Sequence, residues 1–119
     1  MNLTLNVRPI NDLVSIIDLE GEVDVYTAPQ LKQQIIGLLD QGVRHITVNL
    51  TTVDYLDSTA LGVLIGGLKR LRERSGTLDL ICPNSRIRRV FEITGLDNIF
   101  DIYAAEQEAA EKLKSKGGV

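Results

Sequence analysis

Asp54-Tyr55-Leu56-Asp57-Ser58-Thr59-Ala60-Leu61-Gly62 is the stretch on which the reading of this chain turns, because one periodicity gives way to another inside it. Upstream, Ile46, Val48 and Leu50 alternate with His45, Thr47 and Asn49, the two-residue period of a strand. Downstream, Leu61, Leu64, Ile65, Leu68 and Leu71 share one helical face from about Ser58 to Arg74. Lys69, Arg70, Arg72 and Arg74 fill the last turns of that helix, where cations suit the negative end of its dipole. The stretch is therefore a strand-to-helix edge, where open α/β sheets collect ligands and functional groups. Asp57 or Ser58 serves as the N-cap, a role that carboxylates and hydroxyls fill with no further function attached.

Working outward, the same two periods organise the rest of the chain. Leu3, Leu5 and Val7 alternate with polar residues, Pro9 to Asp12 is turn chemistry, and Leu13 to Leu19 is a second strand, so the chain opens with a hairpin. Thr27 with Gln30 reads as a capping box and Pro29 fits a first helical turn. Leu31, Ile35, Leu38 and Leu39 then form an apolar face that Gly42 ends in a left-handed cap. Beyond the central helix, Gly76 is a stop, Leu78 to Cys82 a strand, Ser85 to Thr94 a short helix halted by Gly95, Ile99 to Tyr103 an edge strand and Ala105 to Lys114 a final helix. The order from residue 13 onward is β-α-β-α-β-α-β-α, which favours a largely parallel sheet. The expectation is one α/β domain over residues 1–114, with a mixed, mainly parallel sheet, an N-terminal β-hairpin and about four helices. Residues 115–119 read as a disordered tail.

Composition narrows the function. The 119 residues make one domain's worth of chain, 44% of them hydrophobic and 24% charged, an ordinary globular balance. Thirteen Lys and Arg against sixteen Asp and Glu leave a net charge of -3, which gives no general attraction to nucleic acid. Cys82 is the lone cysteine, so no disulfide forms within the chain and a reducing compartment is the default. No signal peptide opens the sequence, and the longest uncharged stretch, Ser58 to Leu68, is far short of the ~20 residues a membrane span needs. A soluble cytoplasmic protein is expected.

Most catalytic constellations are missing. His45 is the only histidine and lies in a strand, so it reads as a packing or surface residue. No phosphate-cradling glycine loop and no zinc-ligand spacing occurs, so neither cofactor nor metal is expected. Glu20, Glu22 and Asp24 fall at alternate positions, and an extended loop there would set three carboxylates on one side as a solvated patch, a partner surface or a cation site. Arg86, Arg88 and Arg89 read as a solvated helix face. Gly62, Gly66 and Gly67 each cost roughly 1 kcal/mol inside a helix. Gly62 and Gly66 share a face, so something must approach the backbone there, either the domain's own sheet or a partner. A serine at a helix N-terminus also suits a phosphate, because the free N–H groups and the dipole favour negative charge.

Gly21-Glu22-Val23-Asp24 with Thr27-Ala28, then Asp57-Ser58-Thr59-Ala60-Leu61-Gly62, closely resembles the bacterial anti-sigma factor antagonists, the single-domain STAS proteins. Arg44-His45-Ile46, Asn49-Leu50 and Phe91-Glu92-Ile93-Thr94-Gly95-Leu96 extend the likeness from about Leu3 to Ala110. The resemblance implies a partner-switching regulator of transcription, not an enzyme. It implies that the unphosphorylated form binds an anti-sigma factor that is also a serine kinase, freeing a sigma factor. Phosphorylation at Ser58 would switch it off, and a metal-dependent serine phosphatase of the PP2C type would restore it. It places Asp24 on the kinase-facing loop and gathers Asp57, Ser58, Thr59, Ala60 and Gly62 around the partner contact. Ala60 departs from the glycine of many relatives, and Thr59 offers a second hydroxyl beside the acceptor. Neither nucleic acid nor membrane is implied as a partner, and nothing demands more than a monomer. The alternative is a STAS module working unphosphorylated in a scaffold or transport-associated assembly. An aspartate-phosphorylated receiver is disfavoured, because no lysine occurs between Lys69 and Lys112.

Overall fold

A computed structural model describes residues 2–115. The strands are β1 (Leu3–Pro9), β2 (Val14–Val23), β3 (His45–Leu56), β4 (Thr77–Ile81) and β5 (Ile102–Tyr103), and the helices are α1 (Ala28–Asp40), α2 (Ser58–Glu73), α3 (Ser85–Ile93) and α4 (Glu106–Ser115). A 3₁₀ turn, Leu96–Asn98, precedes β5. The strands lie side by side in chain order, with β1 antiparallel to β2 and every later pair parallel. This is the mixed sheet with an N-terminal hairpin that the alternation implied.

Register explains which side chains make the core. Val7 pairs with Ile17, Ile17 with Val48, Val48 with Leu80 and Leu80 with Ile102, a row of apolar residues across all five strands. Successive strand residues point to opposite faces, so each such row lies on one side of the sheet. Leu31, Ile35 and Leu38 of α1 join Leu64, Leu68 and Leu71 of α2 in the same buried cluster, with Ile87 and Phe91 of α3. Phe91 meets Phe100 edge to face at 6.1 Å. The alternate residues Val14, Ile16 and Ile81 face the other way, and α4 brings its buried Ala109 and Leu113. Arg8 on β1 holds both Asp18 of β2 (2.6 Å) and Glu106 of α4 (2.8 Å), which fastens that helix to the hairpin.

Gly42 takes the expected left-handed conformation, φ +97°, and the Val43 N–H returns to the Leu38 carbonyl. Gly67 is the helical glycine with a packing reason, because an added Cβ would lie 3.0 Å from Leu78 and 3.1 Å from Ile35. A Cβ on Gly62 would meet nothing within 4 Å, and one on Gly66 only the tip of Arg70. The domain's own sheet therefore does not approach the face that Gly62 and Gly66 share.

Several sequence boundaries move. β2 starts after Leu13 and continues four residues past Leu19, so Glu20 and Glu22 belong to a strand and not to a loop. Irregular register between Asp18 and Glu20 and between Gly21 and Glu22 breaks the simple alternation that set three carboxylates on one side. The Thr27–Gln30 capping box does not form. Thr27 is helical (φ -103°, ψ -23°), and its hydroxyl donates to the Glu22 carbonyl at 2.7 Å instead of capping. The edge strand shrinks to Ile102–Tyr103 because the chain first turns through Leu96–Asn98 and buries Phe100. Ser115, expected in the tail, ends α4, and residues 116–119 lie outside the described residues. His45 is half-buried, with its ring Nδ1 3.0 Å from the Thr77 hydroxyl, in keeping with a packing role.

Candidate functional site

The parallel strands β2 and β3 deliver their C-terminal ends to one edge of the molecule, where α1 and α2 begin. Val23 pairs with Leu56 there, and the next residues leave the sheet together. Asp57 ties the edge into one unit. Its Oδ1 accepts the Ala60 N–H at 3.0 Å and so caps α2. Its Oδ2 accepts the Val25 N–H at 3.0 Å, from the loop between β2 and α1. Its own N–H donates to the Val23 carbonyl at 3.2 Å. Of the two expected caps, Asp57 is the one used.

Ser58 is thereby released from capping. It is the first residue of α2, exposed, and its hydroxyl makes no hydrogen bond to the described residues. Thr59 beside it is exposed as well. Gly62 lies one turn further along the face that carries Ser58, also exposed, with open space over its backbone. Ala60 behaves differently. It is completely buried, so its methyl group packs inward and does not alter the surface a partner would meet. Of the residues expected around a partner contact, Ser58, Thr59 and Gly62 are exposed, Asp57 is half-buried and Ala60 lies beneath them.

Asp24 also departs from expectation. It is only 3% exposed, so it is not the solvated charge that was expected. Its Oδ1 accepts the N–H groups of Tyr26 (2.8 Å) and Thr27 (3.0 Å), and its backbone carbonyl takes the Ala28 N–H at 2.7 Å. In return the Asp24 N–H donates to the Thr27 hydroxyl at 2.9 Å. Asp24 thus shapes the loop from inside and takes the first N–H of α1 with its carbonyl, while Oδ2 has no partner. Among the described residues no three His, Cys, Asp or Glu side chains converge to hold a metal ion.

What this loop displays is apolar. Val25 is 55% exposed and Tyr26 78%, and Tyr55, at the neighbouring end of β3, is 48% exposed. Large apolar side chains left in water beside an exposed serine are the composition of a contact surface. The sequence held a signal for them: Val25-Tyr26 follows Asp24 where the strand pattern has ended, so no buried face claims either residue. Elsewhere the basic residues of α3 lie on its surface, Arg86 and Arg89 exposed and Arg88 half-buried. Burial pushes the Cys82 thiol up in pKa, which leaves it an inert core residue. No helix among the described residues is long and apolar enough to cross a membrane.

The chain has known relatives in both sequence and fold. The STAS domain family matches residues 6–109. The chain is 37% identical over 119 residues to the anti-sigma-B factor antagonist of Bacillus subtilis, covering all of this chain and 99% of that one. In structure it resembles the anti-sigma factor antagonist SpoIIAA in its unphosphorylated form, with TM-score 0.82, 25% identity, and 94% and 97% of the two chains covered. It also resembles the Bacillus cell fate determinant SpoIIAA in the phosphorylated form, with TM-score 0.73, 26% identity, and 92% and 99% covered. A matched domain over residues 6–109 and a relative 37% identical along the whole chain lead to one conclusion: this chain belongs to the STAS domain family.

Proposed function

We propose that the protein is an anti-sigma factor antagonist whose partner binding is switched by phosphorylation of Ser58. The observation that carries the reading is the division of labour at the start of α2. Asp57 takes the cap, and Ser58 stands exposed at the helix N-terminus with its hydroxyl uncommitted. In the unphosphorylated state the surface of Val25, Tyr26, Tyr55, Ser58, Thr59 and Gly62 binds an anti-sigma factor that is also a serine kinase, and a sigma factor is freed. The protein is then a binding partner and a kinase substrate, acting as a monomer in the cytoplasm, and not itself an enzyme. The resemblance to antagonists solved in both phosphorylation states supports this.

The switching step moves the γ-phosphoryl group of ATP to Ser58. A bond forms between the Ser58 Oγ and γ-phosphorus, the bond to the bridging oxygen breaks, ADP leaves, and the hydroxyl proton passes to a base of the kinase. The product carries about −1.5 to −2 charge near neutral pH. Within the monomer, helix N–H groups attract it and the adjacent Asp57 repels it by comparable amounts. In a tight complex the same phosphate must lose its water beside Asp57, which costs several kcal/mol unless a cation answers it. The complex dissociates and the fold stays. A PP2C-type phosphatase resets the state.

The test is incubation of the purified protein with ATP and the host's anti-sigma kinase, followed by mapping of any phosphate by mass spectrometry. One phosphate on Ser58 is expected. Phosphate on Thr59 would move the acceptor, and none at all with tight binding retained would favour a scaffold module.

A further inference from the structure

From the exposed face of α2 we infer a second contact surface, a basic-walled groove between α1 and α2 that takes an acidic helix of the anti-sigma partner. The inference rests on the reading above and deepens it, because the groove starts at the switch. Thr59 lines its upper end, one residue from Ser58. Two depressions of about 410 and 440 Å³ share Lys32, Thr59 and Val63 and so form one trough. Ile36 and Val63 give it an apolar wall, and Lys32 and Arg70 stand along it. No acidic side chain lines either depression, in a chain whose net charge is -3. Acids appear only past Arg70, where Asp40 and Glu73 enter the wall and end the basic stretch.

The glycines supply an independent argument. Gly62 and Gly66 line the trough, sit mid-helix and have no packing neighbour that excludes a side chain, unlike Gly67. Each weakens α2 relative to alanine without an intramolecular reason. A helix laid over them would explain both, since missing side chains let two backbones approach closely. The stretch from Thr59 to Arg70 runs about 16 Å at 1.5 Å per residue, which suits a three-turn helix in a groove. Lys32 and Arg70 set the charge of that helix: carboxylates on its two flanks would meet them, and a basic helix would be repelled.

The experiment titrates the host's anti-sigma kinase into unphosphorylated protein by calorimetry at low and high salt. Lys32→Glu with Arg70→Glu should weaken binding at least tenfold at low salt, with the gap narrowing at high salt. Gly66→Ala, which lies outside the Ser58 surface, should raise the melting temperature, because the new methyl meets only the flexible tip of Arg70 and the helix gains propensity, while binding weakens at least threefold. That opposite movement is one that a damaged fold cannot imitate. Wild-type affinity in both variants overturns the groove and leaves the Ser58 surface standing. No binding by the unsubstituted protein overturns the functional reading itself and the groove with it.

Discussion

Asp24→Ala separates two views of the loop beside the switch. A solvated carboxylate contributes within ±0.5 kcal/mol to folding. Asp24 is instead buried, with its Oδ1 holding the Tyr26 and Thr27 N–H groups at 2.8 and 3.0 Å. Hydrogen bonds to a charged acceptor contribute ~1.5–3 kcal/mol each. Two reductions apply. The Thr27 N–H keeps a second acceptor in the Asp24 carbonyl at 3.2 Å, so its bond is only partly lost. Removing the carboxylate also removes the cost of burying Oδ2 unpartnered, ~1–3 kcal/mol. The net loss should be about 2 kcal/mol. Unfolding entropy of roughly 2.1 cal/mol/K per residue gives about 250 cal/mol/K for a chain this long, so the melting temperature should drop by about 8 °C. Asp24→Asn keeps an acceptor where Oδ1 lies and should recover at least half of that drop. The assay is thermal unfolding by circular dichroism, with urea titration as a check. A fall of under about 2 °C for Asp24→Ala would return the residue to the solvated class and refute the reasoning.

Other outcomes follow from the same geometry. Ser58→Ala should move the melting temperature by less than about 2 °C, since the cap belongs to Asp57 and surface changes stay within ±0.5 kcal/mol, and it should take up no phosphate when assayed with kinase and ATP. Asp57→Ala should cost about 2 kcal/mol by urea unfolding, because it loses both the cap and the strut to Val25, whereas Asp57→Asn should lose mainly the strut. Phosphorylated protein should show an unchanged circular dichroism spectrum but at least tenfold weaker binding to the anti-sigma kinase by calorimetry. Hydrogen bonds from Arg8 hold the Asp18 carboxyl below the usual carboxylate range, against the opposing effect of burial. A lowered folded value means that stability from the pair is complete above ~3.9 and is lost as pH falls further, through the folded value. Acid titration of Asp18→Asn should therefore show a shallower loss of stability below pH ~4 than the wild type.

Where a periodic pattern ran long, the fold was legible. Leu61 to Leu71 and Leu31 to Leu39 announced α2 and α1, and Gly42 behaved as its position required. The strand ends were not legible, because Glu20, Glu22, Asp54 and Tyr55 are polar or charged enough to read as loop, yet strand pairing carries β2 and β3 through them. Thr27–Gln30 has capping-box spacing, but the Gln30 N–H goes to the Thr27 carbonyl, while Asp24 takes the Thr27 N–H with its side chain and the Ala28 N–H with its carbonyl. Ser58 and Gly62 could be placed from the motif alone. Which glycine packs inward could have been counted from the helical face, since Gly67 falls three residues from Leu64 and four from Leu71 in the buried stripe. Ala60, four residues before Leu64, belongs to that same stripe, whereas the burial of Asp24 had no such signal, because it depends on how the loop closes over the sheet.

Arg8 and Glu106 are 98 positions apart. A ribosome adding about 5–20 residues per second needs roughly 5–20 s to make the second after the first, and longer before both leave its tunnel. Through that interval Arg8 holds only Asp18, and the sheet face of Val14 and Ile16 waits for its helix. The switch surface depends on none of this, since Asp24, Asp57 and Ser58 lie within one continuous span of early chain. The chain that builds this edge is therefore synthesised in full before the helix that covers the opposite face exists.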